Sequence, residues 1–204
     1  MRGLVALLLA LLLWSCGGEP AARAQVDVPA ERIGTAVFAG GCFWCTESDF
    51  EHAPGVIDAV SGYTGGHTAN PTYEQVSAGG TGHYEAVRVR FDTARTSYAA
   101  LVRHFFRTVD PTDAGGQFCD RGDSYRTAVF VAGDEQRRVA EAARAEADRI
   151  LGGRVVTPIL PLGRFTPAED YHQDYYRRHS IRYRYYRARC GRDARLREVW
   201  GTGA

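Results

Sequence analysis

The sequence predicts an α/β or α+β domain built on a mixed sheet, and three observations carry that prediction. Segments of strand character alternate with helical segments and loops from residue 35 to residue 200, the order that sets helices against a sheet. In residues 86–91, Val87, Val89 and Phe91 fall on one face and Arg88 and Arg90 on the other, the period of a half-buried strand. The stretch from Cys16 to Ala204 also suits one domain with a sizeable core.

The first fifteen residues stand outside that domain. Arg2 gives a positive start, residues 4–13 are a continuous apolar run, and small Ser15 precedes Cys16. This is a secretory leader, too short for a stable membrane span. Its end resembles a bacterial lipoprotein box, which makes Cys16 the lipidated first residue and places the chain on the periplasmic side of a bacterial membrane. Trp14 is bulkier than such a box usually holds, and plain secretion is the alternative. Residues 16–34, rich in Gly, Ala and Pro, read as an anchored flexible tether, and residues 35–204 as the folded domain. The formal net charge is +1, and Arg2 of the leader accounts for it. A balanced charge argues against a nucleic-acid surface.

The apolar run Thr35, Ala36, Val37, Phe38, Ala39 is the first strand, and Gly40 and Gly41 turn it into a helix beginning near Cys42. Pro54 and Gly55 end that helix. A second strand covers residues 56–60, and the turn-rich residues 61–66 would present Tyr63 on a loop. Residues 67–82 read as a long surface loop. Glu85 opens the alternating strand; it is either solvated or desolvated enough to become a proton donor. A helix over residues 97–107 buries Leu101, Val102, Phe105 and Phe106, with Thr96 as its cap. Asp110 and Pro111 open a loop that carries Cys119 and Asp120 into a strand starting at Tyr125. Asp134 is expected to cap the next helix, which Gly152 and Gly153 end, and a strand covers residues 155–160. Thr166, Pro167 and Glu169 match a capping box, opening a helix that carries Tyr171, His172, Tyr175 and Tyr176. The aromatics of the tail, from Tyr183 to Trp200, are read as packing beneath snorkelling arginines.

Chemistry concentrates at Cys42, Phe43, Trp44 and Cys45. A helix N-terminus favours negative charge and should shift Cys42 toward thiolate. A nucleophilic sulfur beside two aromatic rings suits an electrophilic centre next to a small apolar group. Zinc normally takes four ligands, and no second close Cys/His pair accompanies Cys42 and Cys45, so no metal is expected. Export would put Cys42, Cys45, Cys119 and Cys190 where disulfides persist. An exported dithiol enzyme then needs electrons from outside.

Six motifs occur here in one order: Gly-Cys-Phe-Trp at 41–44, Ser-Gly-Tyr-Thr-Gly-Gly at 61–66, Gly-His-Tyr-Glu at 82–85, Asp-Arg-Gly at 120–122, Tyr-Arg at 125–126 and Ala-Glu-Asp-Tyr-His-Gln-Asp-Tyr at 168–175. Together they resemble the peptide methionine sulfoxide reductase A family. The resemblance implies a two-layer α/β fold and reduction of methionine S-sulfoxide, free or in oxidised proteins. It implies Cys42 as nucleophile, Phe43 and Trp44 as the methyl pocket, and Glu85 as proton donor. Tyr63 and Tyr125 would hydrogen-bond the sulfoxide oxygen, with Asp120 supporting the polar side. Cys42 would become a sulfenic acid, a second cysteine would condense with it, and a thioredoxin-like dithiol would reduce the disulfide. No bound cofactor is implied.

This chain lacks the glycine-rich tail with recycling cysteines that many members carry, and Ser124 stands where glutamine is frequent. Cys190, among Arg187, Arg189 and Arg192 and next to Gly191, is the preferred resolving thiol, ahead of Cys45 and Cys119. The competing readings are a thiol–disulfide oxidoreductase using Cys42 and Cys45 alone, and a lipid-anchored peptide-binding module.

Overall fold

The computed structural model describes residues 28–201. The expected leader and the Cys16 anchor lie outside the described residues. A single 3₁₀ turn (Ala30–Arg32) leads into β1 (Ile33–Gly40), so the last residues assigned to the tether already belong to the folded body. There follow α1 (Phe43–Glu51), β2 (Val56–Thr64), α2 (Tyr73–Ala78), β3 (Tyr84–Asp92) and α3 (Tyr98–Arg107). A short hairpin, β4 (Gly116–Gln117) and β5 (Asp120–Arg121), precedes β6 (Thr127–Val131), α4 (Asp134–Ile150), β7 (Ile159–Pro161) and β8 (Thr166–Pro167). The chain closes with α5 (Tyr175–Arg178), α6 (Ser180–Arg189) and α7 (Arg192–Trp200).

Six strands form one mixed sheet in the order β7-β6-β1-β3-β2-β8, antiparallel except for the β6–β7 pair. Side chains alternate across it as the sequence pattern requires. Ala36, Phe38, Val87, Val89 and Phe91 face one side, where Phe43 and Phe50 of α1, Leu101 and Phe105 of α3 and Ala140, Ala143 and Ala147 of α4 complete the main core. Phe38 stacks on Phe50 at 4.6 Å and on Phe105 at 5.1 Å between ring centroids. Burying each such ring stabilises the fold by roughly 2–3 kcal/mol. On the opposite face, Val37, Ala39, Ala86, Ala128 and Phe130 are covered by Leu160, Leu162 and Phe165. The result is the two-layer arrangement that the resemblance implied.

Several local expectations are corrected. Tyr63 is not on a loop. β2 runs on through Thr64, pairs Tyr63 with Glu85, and buries Tyr63 completely. Gly62 makes this possible, because a Cβ there would come within 2.5 Å of Thr166 O, where β8 lies against β2. Thr166 and Pro167 are therefore an edge strand and not a helix start, and a 3₁₀ turn begins only at Asp170. Pro167 has no N–H to pair, and Ala168 N–H bonds to Ser61 O at 2.9 Å.

The long loop contains α2, started by a capping box in which Thr72 and Gln75 bond each other's backbone N–H. Ser97 and not Thr96 caps α3, accepting from Ala100 N–H at 3.2 Å. Gly133, at φ +86°, sits at the cap of α4 where Asp134 was expected. Tyr125 lies in a 3₁₀ turn (Asp123–Tyr125) and the strand starts at Thr127. The strand expected over 155–160 shrinks to Ile159–Pro161 because Val155 N–H bonds Asp148 Oδ1 and Val156 N–H bonds Pro111 O. In the tail, Arg192 does not snorkel. It is 2% exposed and donates to Thr108 O and Gly40 O, with Asp49 3.2 Å away.

Candidate active site

Cys42 lies where β1 hands over to α1. Gly41 adopts φ +82°, and a Cβ there would meet Gln117 at 2.5 Å, so only glycine lets the chain turn at this point. Cys42 then takes the N-cap position, and its carbonyl accepts from Cys45 N–H and Thr46 N–H. The first free amide of the helix, Phe43 N–H, is given to Glu85 Oε2 at 2.9 Å. Glu85 stands near the start of β3 and is 2% exposed. Burial pushes its carboxyl up to about 8, against the lowering effect of the Phe43 amide, and Asp120 and Cys45 push the same way.

The expected thiolate at Cys42 is corrected by the same geometry. The sulfur is buried, its residue only 6% exposed, and its thiol is raised well above the usual range. Burial is the largest cause; the hydrogen bond to Cys45 and the carboxyl groups of Glu85 and Asp120 add to it. The positive end of α1 is spent on Glu85 rather than on sulfur. Cys45, one turn further and also buried, is the more acidic of the two thiols, lowered by the hydrogen bond from Cys42 and by Arg192. The resting pair is thus a Cys42 thiol beside a protonated Glu85.

Phe43 is buried against His172 and Tyr63, at ring-centroid distances of 4.9 and 5.9 Å. Trp44 is half-buried, stacked on Tyr175 at 3.7 Å, and donates its indole N–H to His172 Nδ1 at 3.1 Å. Since the indole only donates, the neutral His172 carries its proton on Nε2.

Tyr63 does not reach this pocket with its hydroxyl, which donates to Glu169 Oε2 at 2.9 Å. Glu169 Oε1 also accepts from Tyr73 N–H, so Glu169 clamps the start of α2 to the sheet. Tyr73 takes the place expected for Tyr63. Its hydroxyl bonds that of Tyr125, and its electrostatic neighbours are Glu85 and Cys42. Tyr125 in turn hydrogen-bonds Glu85. The signal for Tyr73 was in the sequence, as the Thr72–Gln75 capping box that starts its helix.

The other two cysteines among the described residues are joined. Cys119 and Cys190 form a disulfide, with Cα atoms 4.9 Å apart, while Cys42 and Cys45 are free. In this structure Cys119 is the partner of Cys190. Cys119 is exposed at the tip of the β4–β5 hairpin, whose other turn residue, Phe118, sits at φ +56°. Asp120, directly after Cys119, accepts from Tyr186 OH, and that hydroxyl also contacts Cys42. Tyr186, on α6, was read as packing; nothing in its spacing distinguished it from Tyr183 and Tyr185. Cys42, Phe43, Trp44, Glu85, Asp120 and Tyr125 come together, Tyr63 stands behind them, and Cys190 lies beyond Asp120.

A buried thiol facing a buried, protonated carboxyl on a mixed sheet defines a cysteine-dependent enzyme of the two-layer α/β class. Residues 34–204 match the family model described as peptide methionine sulfoxide reductase. A Caulobacter vibrioides protein named peptide methionine sulfoxide reductase MsrA 2 is 52% identical over 202 residues, covering 98% of this chain and 100% of its own. The Bacillus licheniformis MsrA is 48% identical, over 84% of this chain and 96% of that one. Among solved structures, methionine sulfoxide reductase A of Corynebacterium diphtheriae superposes with TM-score 0.66 at 33% identity, covering 74% and 76% of the two chains. Reduced Mxr1 of Saccharomyces cerevisiae does so with TM-score 0.71 at 26% identity, covering 76% and 90%. The chain belongs to the peptide methionine sulfoxide reductase family.

Proposed function

We propose that this protein reduces methionine S-sulfoxide, free or within oxidised proteins, through a Cys42 sulfenic acid. The observation that carries the reading is the Glu85 carboxyl, buried, protonated and fixed on the Phe43 amide directly beside Cys42. Sulfoxide sulfur becomes electrophilic as its oxygen gains a proton. Glu85 supplies that proton while Cys42 Sγ bonds to the sulfur, and the vacated carboxylate takes the Cys42 proton. No charge is left uncompensated in the buried site. The hydroxyl then passes from the substrate sulfur to Cys42 Sγ as the substrate S–O bond and the new S–S bond break, and methionine departs. Tyr125 and Tyr73 hold the oxygen, Phe43 and Trp44 the methyl group, and Asp120 the polar side.

Recycling uses the outer pair. Cys190 thiol attacks the Cys42 sulfenic sulfur and water leaves; Cys119 then attacks Cys190 Sγ and frees Cys42. The cycle ends on the Cys119–Cys190 bond, with exposed Cys119 open to an external thioredoxin-like dithiol. The leader pattern supports export and lipidation at Cys16, which mass analysis of the membrane fraction tests through a Cys16→Ala variant that stays soluble.

The decisive assay is single-turnover reduction of the separated S and R epimers by pre-reduced enzyme. One equivalent of methionine from S and none from R is expected. Equal yields from both epimers overturn the fixed pocket, and no yield from either overturns the function.

A further inference from the structure

Three sulfur atoms and one carboxylate meet at the outer edge of the site. Cys190 Sγ lies 3.7 Å from Asp120 Oδ2, and Cys119 Sγ lies 3.9 Å from Asp120 Oδ1. Oδ2 also accepts from Tyr186 OH, whose hydroxyl contacts the Cys42 thiol. One carboxylate thus touches both members of the outer pair and connects through one hydroxyl to the inner sulfur. A residue that only supported bound substrate would have no reason to face the outer disulfide.

We propose that Asp120 is the acid–base residue of recycling, and that Tyr186 carries its proton to Cys42. The inference rests on the reading that Cys190 resolves a Cys42 sulfenic acid. In the resolving step Asp120 takes the Cys190 proton and the sulfur attacks Cys42 Sγ. The S–O bond of the sulfenic acid breaks. Its hydroxyl leaves as water on receiving the Tyr186 proton, and Tyr186 is restored by the proton held on Asp120. One S–S bond forms, one S–O bond breaks, and no outside acid is consumed. When an external dithiol later opens the Cys119–Cys190 bond at Cys119, the departing Cys190 sulfur again has Asp120 beside it.

The groups facing Asp120 come from five elements: Tyr186 from α6, Arg192 from α7, Glu85 from β3, Tyr125 from the 3₁₀ turn, and Cys42 from the head of α1. Burial raises the Asp120 carboxyl, while Tyr186 and Arg192 lower it. A carboxylate raised in this way is a stronger base toward a thiol.

The test starts from fully reduced enzyme and one equivalent of methionine S-sulfoxide. Methionine, free thiols and dimedone-trapped sulfenic acid are followed in wild type, Asp120→Asn, Asp120→Glu and Tyr186→Phe. In wild type, thiol loss follows methionine formation closely and slows at low pH as Asp120 takes a proton. Asp120→Asn is expected to slow thiol loss by roughly a hundredfold or more, so that the Cys42 sulfenic acid accumulates and the acid limb disappears. Asp120→Glu should recover part of the rate and the limb, and Tyr186→Phe should slow the same step. Thiol loss at the wild-type rate in Asp120→Asn overturns the inference and leaves the proposed function standing. Methionine formation and thiol loss slowed by the same factor, with no sulfenic acid accumulating, also overturn it, because the contact of Asp120 with the polar side of the substrate would then account for the whole effect. Absence of methionine from wild type overturns the underlying reading instead.

Discussion

Replacing Glu85 by glutamine removes one proton and almost nothing else. Glutamine Oε1 can still accept the Phe43 amide, so the start of α1 is kept. The structure places the Glu85 carboxyl at about 8, so about 90% of molecules hold the proton at pH 7, against about 0.3% for an ordinary glutamic acid. Burial therefore raises the donor population roughly 300-fold at neutral pH. Without a donor the chemical step should slow by about 10²- to 10⁴-fold, which is about 3–5 kcal/mol of barrier. The sign of the pH dependence follows from the direction of the shift. Glu85 is competent while protonated, so the wild-type single-turnover rate is level below pH 7 and falls about tenfold per pH unit above 8. The assay is quenched-flow methionine formation between pH 6 and 10 with one equivalent of S-sulfoxide. Glu85→Gln should be slow and lose the limb near pH 8. A slow variant that keeps that limb would assign it to another group, and a variant of wild-type rate would refute the reasoning outright.

Three further outcomes are expected. Cys119→Ser should give one methionine per molecule in a single turnover but lose steady-state turnover with an external dithiol, a Cys42–Cys190 bond appearing by peptide mapping; normal turnover would show that Cys119 is not needed. Tyr73→Phe should slow the chemical step more than Tyr63→Phe, since the Tyr63 hydroxyl is engaged by Glu169; the reverse order in single-turnover rates would restore Tyr63 to the pocket. Arg192→Met should destabilise the fold by about 3 kcal/mol in urea unfolding, because it strips a buried partner from Asp49 and from the Gly40 and Thr108 carbonyls; a loss below about 0.5 kcal/mol would contradict the buried pairing.

What was legible in the sequence was local. The β1–turn–α1 unit followed from an apolar run, two glycines and a helix-compatible stretch, and β3 from its period of two. Tyr63 was misplaced because Ser61, Gly62 and Thr64 carry turn propensity. The position of Gly62 under β8 is a contact between residues about a hundred apart in sequence, which no local pattern encodes. Thr166, Pro167 and Glu169 matched a capping box by spacing alone, while tertiary structure gave Glu169 to Tyr63 and Tyr73. The state of Cys42 was missed for a related reason: the helix end was visible in sequence, but the burial and the two carboxyl groups that oppose it were not. The Cys119–Cys190 pairing depends on how α6 returns across the hairpin, and cysteine spacing does not fix connectivity.

The central claim is that Cys42 itself takes the oxygen of the substrate. It is tested most directly in a Cys45→Ser/Cys119→Ser/Cys190→Ser variant given one equivalent of methionine S-sulfoxide with dimedone present. The account predicts one methionine per enzyme molecule and a single dimedone adduct, mapped by peptide mass to Cys42. Methionine released while Cys42 stays an unmodified thiol would contradict it.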